Sequence, residues 1–385
     1  MKERIKRLNW LMLLATTALV TVGTLAIYSA GNARAEAVFH DLWISNLTTA
    51  AFGFAVYFVL AFTDYRRILA YASGPAYAGA LVMLVAVLLI GTDRFGGRRW
   101  LFFFQPSEIA KLCVIMFIAS IAPRLSGFRG FCIAAAAIGL PLLLILLEPD
   151  LGTALTLVPA CAVMLFVARV WRRGLIVLFG AGMLAAAVVL GVVGAAERPG
   201  TTDEKRARIM RYVPLQPHQV KRIKTFLYPD EDRSGAGYTL RQAKIAIGSG
   251  GFSGKGFGKG EANHLRYLPP AISINDFIFC VYAEETGFVG SAVLLLLFAL
   301  LLVPSGWIAF RCVDARGRLL ALGFPTLVFA HVFVNIGMSV GLVPITGVPL
   351  PFISSGRTFL VTVMAGLGLI QSVSVYGKES TKWES

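Results

Sequence analysis

The sequence predicts an all-α, polytopic membrane protein with about ten transmembrane helices and one long extracytoplasmic loop before the eighth helix. Hydrophobic residues make up 57% of the 385 residues and charged residues only 15%, whereas soluble domains average about 45–50% and about 25%. Apolar runs long enough to cross a bilayer, about 17–25 residues, recur along nearly the whole chain. We therefore expect a single membrane domain over residues 1–385 rather than several soluble domains.

Charged and turn-forming residues separate the apolar runs and define the approximate bounds of each predicted span. The first run follows a basic segment but is too long for the core of a signal peptide, so we interpret it as the first helix. The predicted spans lie near 9–29, 45–62, 73–91, 107–122, 130–147, 153–169, 174–195, 286–310, 319–341 and 352–375.

The distribution of lysine and arginine predicts the orientation of these spans. Starting from the segment with Lys2 and Arg4, every second connection is rich in positive residues, and the intervening short loops carry few. Because positive residues stay on the cytoplasmic side, we expect both termini there. Residues 196–272 then form a long polar loop on the outer face, and loops of this length are usually functional.

Several classes of function receive no support from the sequence. The formal net charge is +15, but no basic segment is interleaved with aromatic residues in a soluble domain, so we expect no nucleic-acid partner. The five cysteines are isolated, without ligand spacing, and HExxH and GxSxG motifs are absent. The glycine-rich stretch 248–260 lacks the strand and helix that flank a phosphate-binding loop. ATP-driven transport and zinc-dependent hydrolysis are therefore disfavoured.

Five polar clusters lie at span ends that open toward the outer face. Ionisable residues in or beside membrane spans are costly unless they are paired or functional, so their convergence predicts a site at this face. The clusters are RRW at 98–100, QPSEIAK at 105–111, EPDLGT at 148–153, NDFIF at 275–279 with AEETG at 283–287, and PITGVPLPFISSGRT at 344–358.

The first two acidic clusters each allow two interpretations. Pro106 predicts a helix start, and Glu108 and Lys111 then project from one helix face; they form an ion pair, or Lys111 binds a phosphate. Glu148 and Asp150 precede a helix that restarts at Gly152, so one acid caps that helix. The second acid is then free to order a loop, hold a cation or bind a substrate hydroxyl.

The last two clusters also allow a structural and a functional interpretation. Asp276 caps the following helix, or its apolar neighbours raise the pKa of its carboxyl toward the range of a general base. The prolines and glycines of 344–358, including Gly347, Pro349 and Pro351, exclude a regular helix. Such backbone inside a membrane protein is packed within protein or lines a wet cavity. Its Ser354 and Arg357 donate hydrogen bonds to an anionic ligand unless the turn is purely structural.

At these residues the chain resembles the SEDS (shape, elongation, division and sporulation) family, the RodA/FtsW-type peptidoglycan glycosyltransferases, and is closer to RodA. The motifs RRW, FQPSEIAKL, EPDLGTAL, IAIGSGGFSGKGFGKG, RYLP, DFIFCVYAEETGFVGS and GLVPITGVPLPFIS occur in the family's order. The resemblance implies polymerisation of lipid II on the outer face of the cytoplasmic membrane. It also implies a class B penicillin-binding protein, other elongation or division complex proteins and membrane lipids as partners.

The resemblance assigns roles to individual residues. It implies that Asp276 takes the proton from the acceptor 4-hydroxyl as that oxygen attacks the donor sugar. The pyrophosphate leaves as an anion, so cations matter more than a general acid, and Lys111, Arg98 and Arg357 are the candidates. Four further residues in the motifs are predicted to bind substrate. They are Trp100, Glu108, Asp150 and Ser354.

Departures from the family pattern leave alternatives open. Pro270, Ile274 and Asn275 stand where the family often has polar residues, and Arg357 falls in the segment that is usually SYGGS. These departures support an inactive scaffold for a penicillin-binding protein as an alternative, and the broken helices would also suit a flippase for lipid-linked precursors. The sequence predicts no certain cofactor. A divalent cation, Mg²⁺ or Mn²⁺, would bind if folding brings Glu148, Asp150 and Asp276 together.

Overall fold

The computed structural model is a bundle of α-helices with one short β-hairpin among the residues that it describes. These are 2–32, 40–94, 97–102, 104–148, 150–198, 201–202, 204, 209, 217–232, 235–261 and 273–377. The main helices are α1 (Trp10–Asn32), α2 (Leu42–Phe62), α3 (Ser73–Ile90), α4 (Pro106–Ile121), α5 (Gly127–Leu147), α6 (Leu151–Val167), α7 (Arg172–Ala196), α8 (Pro217–Leu227), α9 (Ala236–Ser249), α10 (Ile278–Arg311), α11 (Ala315–Val340) and α12 (Arg357–Tyr376). The antiparallel hairpin consists of β1 (Thr92–Arg94) and β2 (Gly97–Trp100).

The predicted membrane architecture is confirmed. Within the described ranges, nine helices are long and apolar enough to span a bilayer, and the sixth predicted span is the shorter helix α6. Two predicted bounds were wrong. Helix α10 begins at Ile278 rather than near 286, because a half-helix carries the acidic AEETG segment inside the protein. Helix α12 begins at Arg357 rather than near 352, because the proline-rich segment before it has no regular structure.

The first and last described helices, α1 and α12, have their outer ends at the same end of the bundle, which we call the terminus end. The side chain of Gln371 near the end of α12 donates to the carbonyl of Asn9 at 2.8 Å and accepts from its amide at 2.9 Å. Tyr65, which follows α2, donates its amide to the Ser372 hydroxyl at 2.9 Å. Helices α4, α6, α10 and α12 all begin at the opposite end, which we call the loop end.

The polar residues of the bundle lie on its inner helices. Helices α4, α11 and α12 are mostly buried, whereas α7 is almost wholly exposed, as expected of a helix that faces lipid. The inner helices carry fully buried polar side chains, including Lys111, His331 and Asn335. Polar groups in a bilayer need partners inside the protein, which explains why α4 and α11 occupy the centre.

Helix α10 is broken at Gly287, where φ is +65° and the backbone is not helical. The glycine-rich stretch 250–256 crosses the break and supplies the hydrogen bonds that the interrupted helix lacks. Helix α10 therefore consists of a half-helix at the loop end followed by a long apolar helical segment. The bonds run from the amides of Lys255 and Gly256 to the carbonyls of Glu284 and Glu285, both at 3.0 Å, and from the amides of Phe288 and Val289 to the carbonyls of Gly251 and Phe252, at 2.9 and 3.1 Å.

We predict that Gly254→Ala destabilises the protein. A β-carbon at Gly254 would lie 2.1 Å from the carbonyl oxygen of Glu285, and its φ of +79° disfavours any side chain. We expect a loss of about 2 kcal/mol or more and a fall of several degrees in Tm, measured by thermal unfolding in detergent. Gly248→Ala is the matched control, because a β-carbon there meets open space in helix α9. Equal Tm values for the two variants would contradict this account of the break.

Candidate active site

The centre of the loop end is the irregular segment 342–356, which we call the central loop. Asn335 of α11 donates one hydrogen bond to the carbonyl of Val348 at 2.7 Å and another to the carbonyl of Asp276 at 2.9 Å. Gly152 at the start of α6 is in close contact with the loop, since a β-carbon there would lie 2.7 Å from Val348. The central loop is therefore packed within protein, and it joins the starts of α6 and α10.

Asp276 lies two residues before α10, against the central loop. The helix cap is Phe277, and no side chain provides a capping hydrogen bond there, so the capping interpretation of Asp276 is not supported. A β-carbon at Gly347, whose φ is +73°, would lie 3.3 Å from Asp276 Oδ2. Burial, together with the charge of Asp150, raises the pKa of the Asp276 carboxyl to about 6, although two arginines act against this rise. A carboxyl with this pKa suits a general base near neutral pH.

The two arginines are Arg222 and Arg99, and neither was among the predicted site residues. Arg222 belongs to α8 in the long polar loop and donates to the Thr346 carbonyl of the central loop at 3.3 Å. Both arginines act on Asp276 electrostatically. Burial, and then the positive charge of Arg99, lowers the pKa of the Arg222 guanidinium. Two cations that repel each other beside one carboxylate form a favourable setting for an anion with several charges.

Residues 217–227 form a strongly amphipathic helix, and this pattern is the sequence signal that could have identified Arg222. Arg99 lies beside the predicted Arg98 in β2, and its Nε donates to the carbonyl of Glu148 at 3.2 Å. The two arginines are far apart in the sequence, so only the folded chain shows that they share a site.

The two acids at the start of α6 have different roles, as the sequence predicted. Asp150 is the cap, accepting from the amide and the hydroxyl of Thr153 at 3.1 and 2.8 Å, and from Gln105 at 3.1 Å. Glu148 is fully buried, and neither of its carboxylate oxygens has a hydrogen-bond partner. Burial, and then the charge of Asp150, raises the pKa of Glu148 to about 8, so this side chain is mostly protonated at pH 7.

Glu108 and Lys111 form the ion pair that was one of the two interpretations. The Lys111 ammonium lies 2.8 Å from Glu108 Oε2, and both side chains are almost fully buried. Helix α4 begins at Pro106, as predicted, with Gln105 as its cap residue. Because the Lys111 ammonium is buried and paired, it is better suited to a structural role at the site than to direct contact with a phosphate.

The remaining predicted residues are spread over the loop end. Trp100 is partly buried at the end of β2, whereas the side chain of Arg98 lies outside the described part of the structure. The Ser354 hydroxyl is occupied within the protein, because it accepts from the Leu350 amide at 2.8 Å and donates to the Asn275 carbonyl. Arg357 is exposed at the first position of α12.

The structure describes most of the positions at which the chain departs from the family pattern. Ile274 is buried in the core, the carbonyl of Asn275 accepts from the Ser354 hydroxyl, and Pro270 lies outside the described residues. Pro351, which was predicted to be structural, is buried in the central loop. Among the described residues no group of three or more His, Cys, Asp or Glu side chains is arranged to hold a metal ion. The divalent cation at Glu148, Asp150 and Asp276 stays a prediction.

We predict that Glu148→Gln changes the pH dependence of stability. A folded-state pKa raised to about 8 means that the folded protein holds a proton that the unfolded chain releases above its ordinary pKa. Stability from this group is therefore present at low pH and is lost as pH rises toward 8. Thermal unfolding at pH 5 and at pH 8 should show that Gln raises Tm by several degrees relative to wild type only at pH 8. A Tm difference independent of pH would contradict the raised pKa.

The chain is similar to known proteins over most of its length. A family model described as "Cell cycle protein", of the FtsW, RodA and SpoVE type, matches residues 9–379. The chain is 38% identical to "Peptidoglycan glycosyltransferase MrdB" of Escherichia coli (strain K12) over 314 residues, which covers 80% of this chain and 78% of that protein. It is 32% identical to "Stage V sporulation protein E" of Bacillus subtilis (strain 168), with coverage of 96% and 97%.

Solved structures show the same fold. A chain from a structure described as "Structural coordination of polymerization and crosslinking by a peptidoglycan synthase complex" has a TM-score of 0.74 and 28% identity, covering 97% of this chain and 99% of that one. The crystal structure of the Thermus thermophilus rod shape determining protein RodA has a TM-score of 0.68 and 27% identity, covering 97% and 98%. The likeness extends over the whole bundle and the loop end.

Proposed function

Because the chain belongs to the FtsW, RodA and SpoVE family of peptidoglycan glycosyltransferases, we propose that Asp276 is the base with which it polymerises lipid II. The single observation that carries the assignment of the base is the position of Asp276. Its carboxyl lies against the central loop, with a pKa raised to about 6 and two arginines close enough to act on its charge. Glu148, the other acid on which Arg99 acts, has its pKa raised further, to about 8.

In the proposed reaction the ionised carboxylate of Asp276 removes the proton from the 4-hydroxyl of the acceptor sugar. The freed oxygen attacks the anomeric carbon of the donor sugar with inversion, and the bond to the pyrophosphate oxygen breaks. The leaving pyrophosphate gains negative charge, which Arg222 and Arg99 stabilise from fixed positions. Asp150 keeps the Asp276 carboxyl basic by its negative charge, and it is itself held by its contacts at the start of α6.

This proposal revises the candidates for the pyrophosphate contact. Arg222 and Arg99 replace Lys111 as the first choice, because the Lys111 ammonium is fully buried and already paired. Arg357, exposed at the start of α12, stays a candidate cation for the pyrophosphate. Lys111 and Glu108 instead hold the beginning of α4 in place.

The proposed setting is the outer face of the bacterial cytoplasmic membrane, with both termini in the cytoplasm. Two features support it. The outer ends of α1 and α12 lie together at the terminus end, and the positive-inside rule assigns that end to the cytoplasm. We propose that the enzyme works in cell elongation or division with a class B penicillin-binding protein, since a similar chain comes from a complex that couples polymerisation to crosslinking.

We predict that Asp276→Asn lowers lipid II polymerisation about a hundredfold or more, because the amide cannot accept the proton. For the wild type, log kcat/KM should fall with unit slope below pH about 6. Only the ionised carboxylate is a base, and the ionised fraction decreases tenfold for each pH unit below its pKa. Glycan strands formed from purified enzyme and lipid II, with and without a penicillin-binding protein, provide the measurement.

The same assay separates the alternatives. Full polymerisation by Asp276→Asn would be consistent with a glycosyltransferase but would show that Asp276 is not its base. If no polymer forms with any partner, the scaffold would be favoured, and lipid II scrambling in proteoliposomes without polymer would favour the flippase. A divalent ion is tested by adding and removing Mg²⁺ or Mn²⁺ in this assay.

We predict that Arg222→Gln lowers kcat about a hundredfold, because one of two fixed cations at the leaving group is lost. Arg222→Lys should retain part of the activity, since it keeps the charge but not the planar fork. Lys221→Gln is the matched control, an exposed cation one residue earlier on the same helix, and should polymerise normally. Equal losses in Lys221→Gln and Arg222→Gln would point to a general effect of loop charge instead.

A further inference from the structure

A buried polar cluster behind the central loop includes a histidine that the proposed reaction does not use. His331 of α11 is 1% exposed, and its Nε2 lies 2.9 Å from the Lys111 ammonium of the buried ion pair. Its other ring nitrogen, Nδ1, lies 3.3 Å from the carbonyl oxygen of Pro349 in the central loop. The ring stacks on Phe359 with 4.5 Å between centroids. His331 thus touches α4, α12 and the central loop at once.

The chemistry of the two partners determines where the proton of His331 resides. An ammonium only donates hydrogen bonds, so Nε2 must be the unprotonated nitrogen that accepts from Lys111. A backbone carbonyl only accepts, so Nδ1 must carry the hydrogen that is donated to Pro349. A doubly protonated ring would instead place an N–H against the ammonium. The geometry therefore requires the neutral ring with its proton on Nδ1.

His331 and a second polar residue of α11 both contact the central loop. His331 and Asn335 are four residues apart and lie one turn apart on the same helix face. They contact consecutive carbonyls of the central loop, since Asn335 donates to Val348 and His331 lies on Pro349. Pro349 and Pro351 have no amide hydrogen of their own, and the nearby amides of Ile353 and Ser354 donate to Leu350 rather than to Val348 or Pro349. Asn335 also holds the backbone of Asp276.

We infer that His331 is a positioning residue, which as the Nδ1–H tautomer couples the Glu108–Lys111 pair to the central loop beside the base. The inference rests on the proposed function only for its effect on catalysis. Its structural part, the tautomer and its two contacts, stands independently. Loss of the coupling lets the loop shift relative to Asp276, and small displacements of a reacting group are costly in rate.

Three variants separate the two contacts. His331→Gln can still accept from Lys111, His331→Asn can still donate toward Pro349 but is too short to reach Lys111, and His331→Leu makes neither contact. We expect His331→Leu to lower kcat about tenfold or more, with Gln and Asn retaining intermediate activity. KM for lipid II should change little, because the buried ring does not meet substrate. Wild-type kcat in all three variants, or a loss confined to KM, would overturn the positioning role.

A measurement that does not depend on activity tests the tautomer. In the ¹⁵N-histidine spectrum of a chain with His40, His218 and His264 changed to Gln, the only signals belong to His331. We expect a neutral ring at pH 7 with hydrogen on Nδ1 and a lone pair on Nε2, and Lys111→Met should shift mainly the Nε2 signal. If this chain does not fold, the difference between the spectra of wild type and His331→Gln supplies the same signals.

A proton on Nε2, or on both nitrogens, would overturn the inference. Asp276→Asn is assayed beside the His331 variants, so that the two proposals fail separately. Full activity of Asp276→Asn would remove the proposed base while the spectrum still decides the His331 contacts. The expected spectrum with unchanged kcat in the His331 variants would reject the coupling to catalysis alone.

Discussion

The arrangement of the loop end depends on how the backbone polar groups of one irregular segment, the central loop at 342–356, are hydrogen-bonded. Backbone without regular structure is tolerated within a membrane protein only when the surrounding protein satisfies its polar groups. Three prolines remove amide donors from this segment, and side chains from other elements donate to some of its carbonyls. Asn335 donates to the carbonyl of Val348 and Arg222 to that of Thr346, while Ser354 of the loop itself donates to the Asn275 carbonyl. The starts of α6 and α10 also lie close to the loop. This proximity brings the acids and the arginines together.

The charges around the loop are arranged for a ligand rather than for the protein alone. Burial makes the Asp276 and Glu148 carboxyls weaker acids, while Arg222 and Arg99 face each other's positive charge. Such an arrangement is unfavourable in an isolated protein, and an anion placed between the arginines would relieve it. A pyrophosphate, the leaving group of the proposed reaction, carries charge of the required sign.

Several features of the fold were accessible from the sequence because they depend on local physical rules. Apolar length and charged connections predicted the number and order of the spans, and the start of α4 at Pro106 followed from proline's preference for a first helical turn. The need for one cap predicted that Asp150 and Glu148 would differ. The bound of α10 was wrong because hydropathy does not distinguish a polar half-helix inside the protein from a loop outside it. The bound of α12 was wrong because hydropathy does not distinguish the buried irregular segment before Arg357 from helix.

What the sequence by itself determined is the membrane architecture, the motifs that carry the family resemblance, and the identity of Asp276 as the residue to examine. The architecture follows from composition and periodicity along the chain, whereas the resemblance of the motifs to a known family singled out Asp276. Only the tertiary structure decided which cations accompany that carboxyl, and it selected Arg222 and Arg99 while placing Lys111 in a buried pair with Glu108. The physical reason is that charge interactions depend on distances in space. Residues 99, 222 and 276 become neighbours only when three separate elements meet at the central loop.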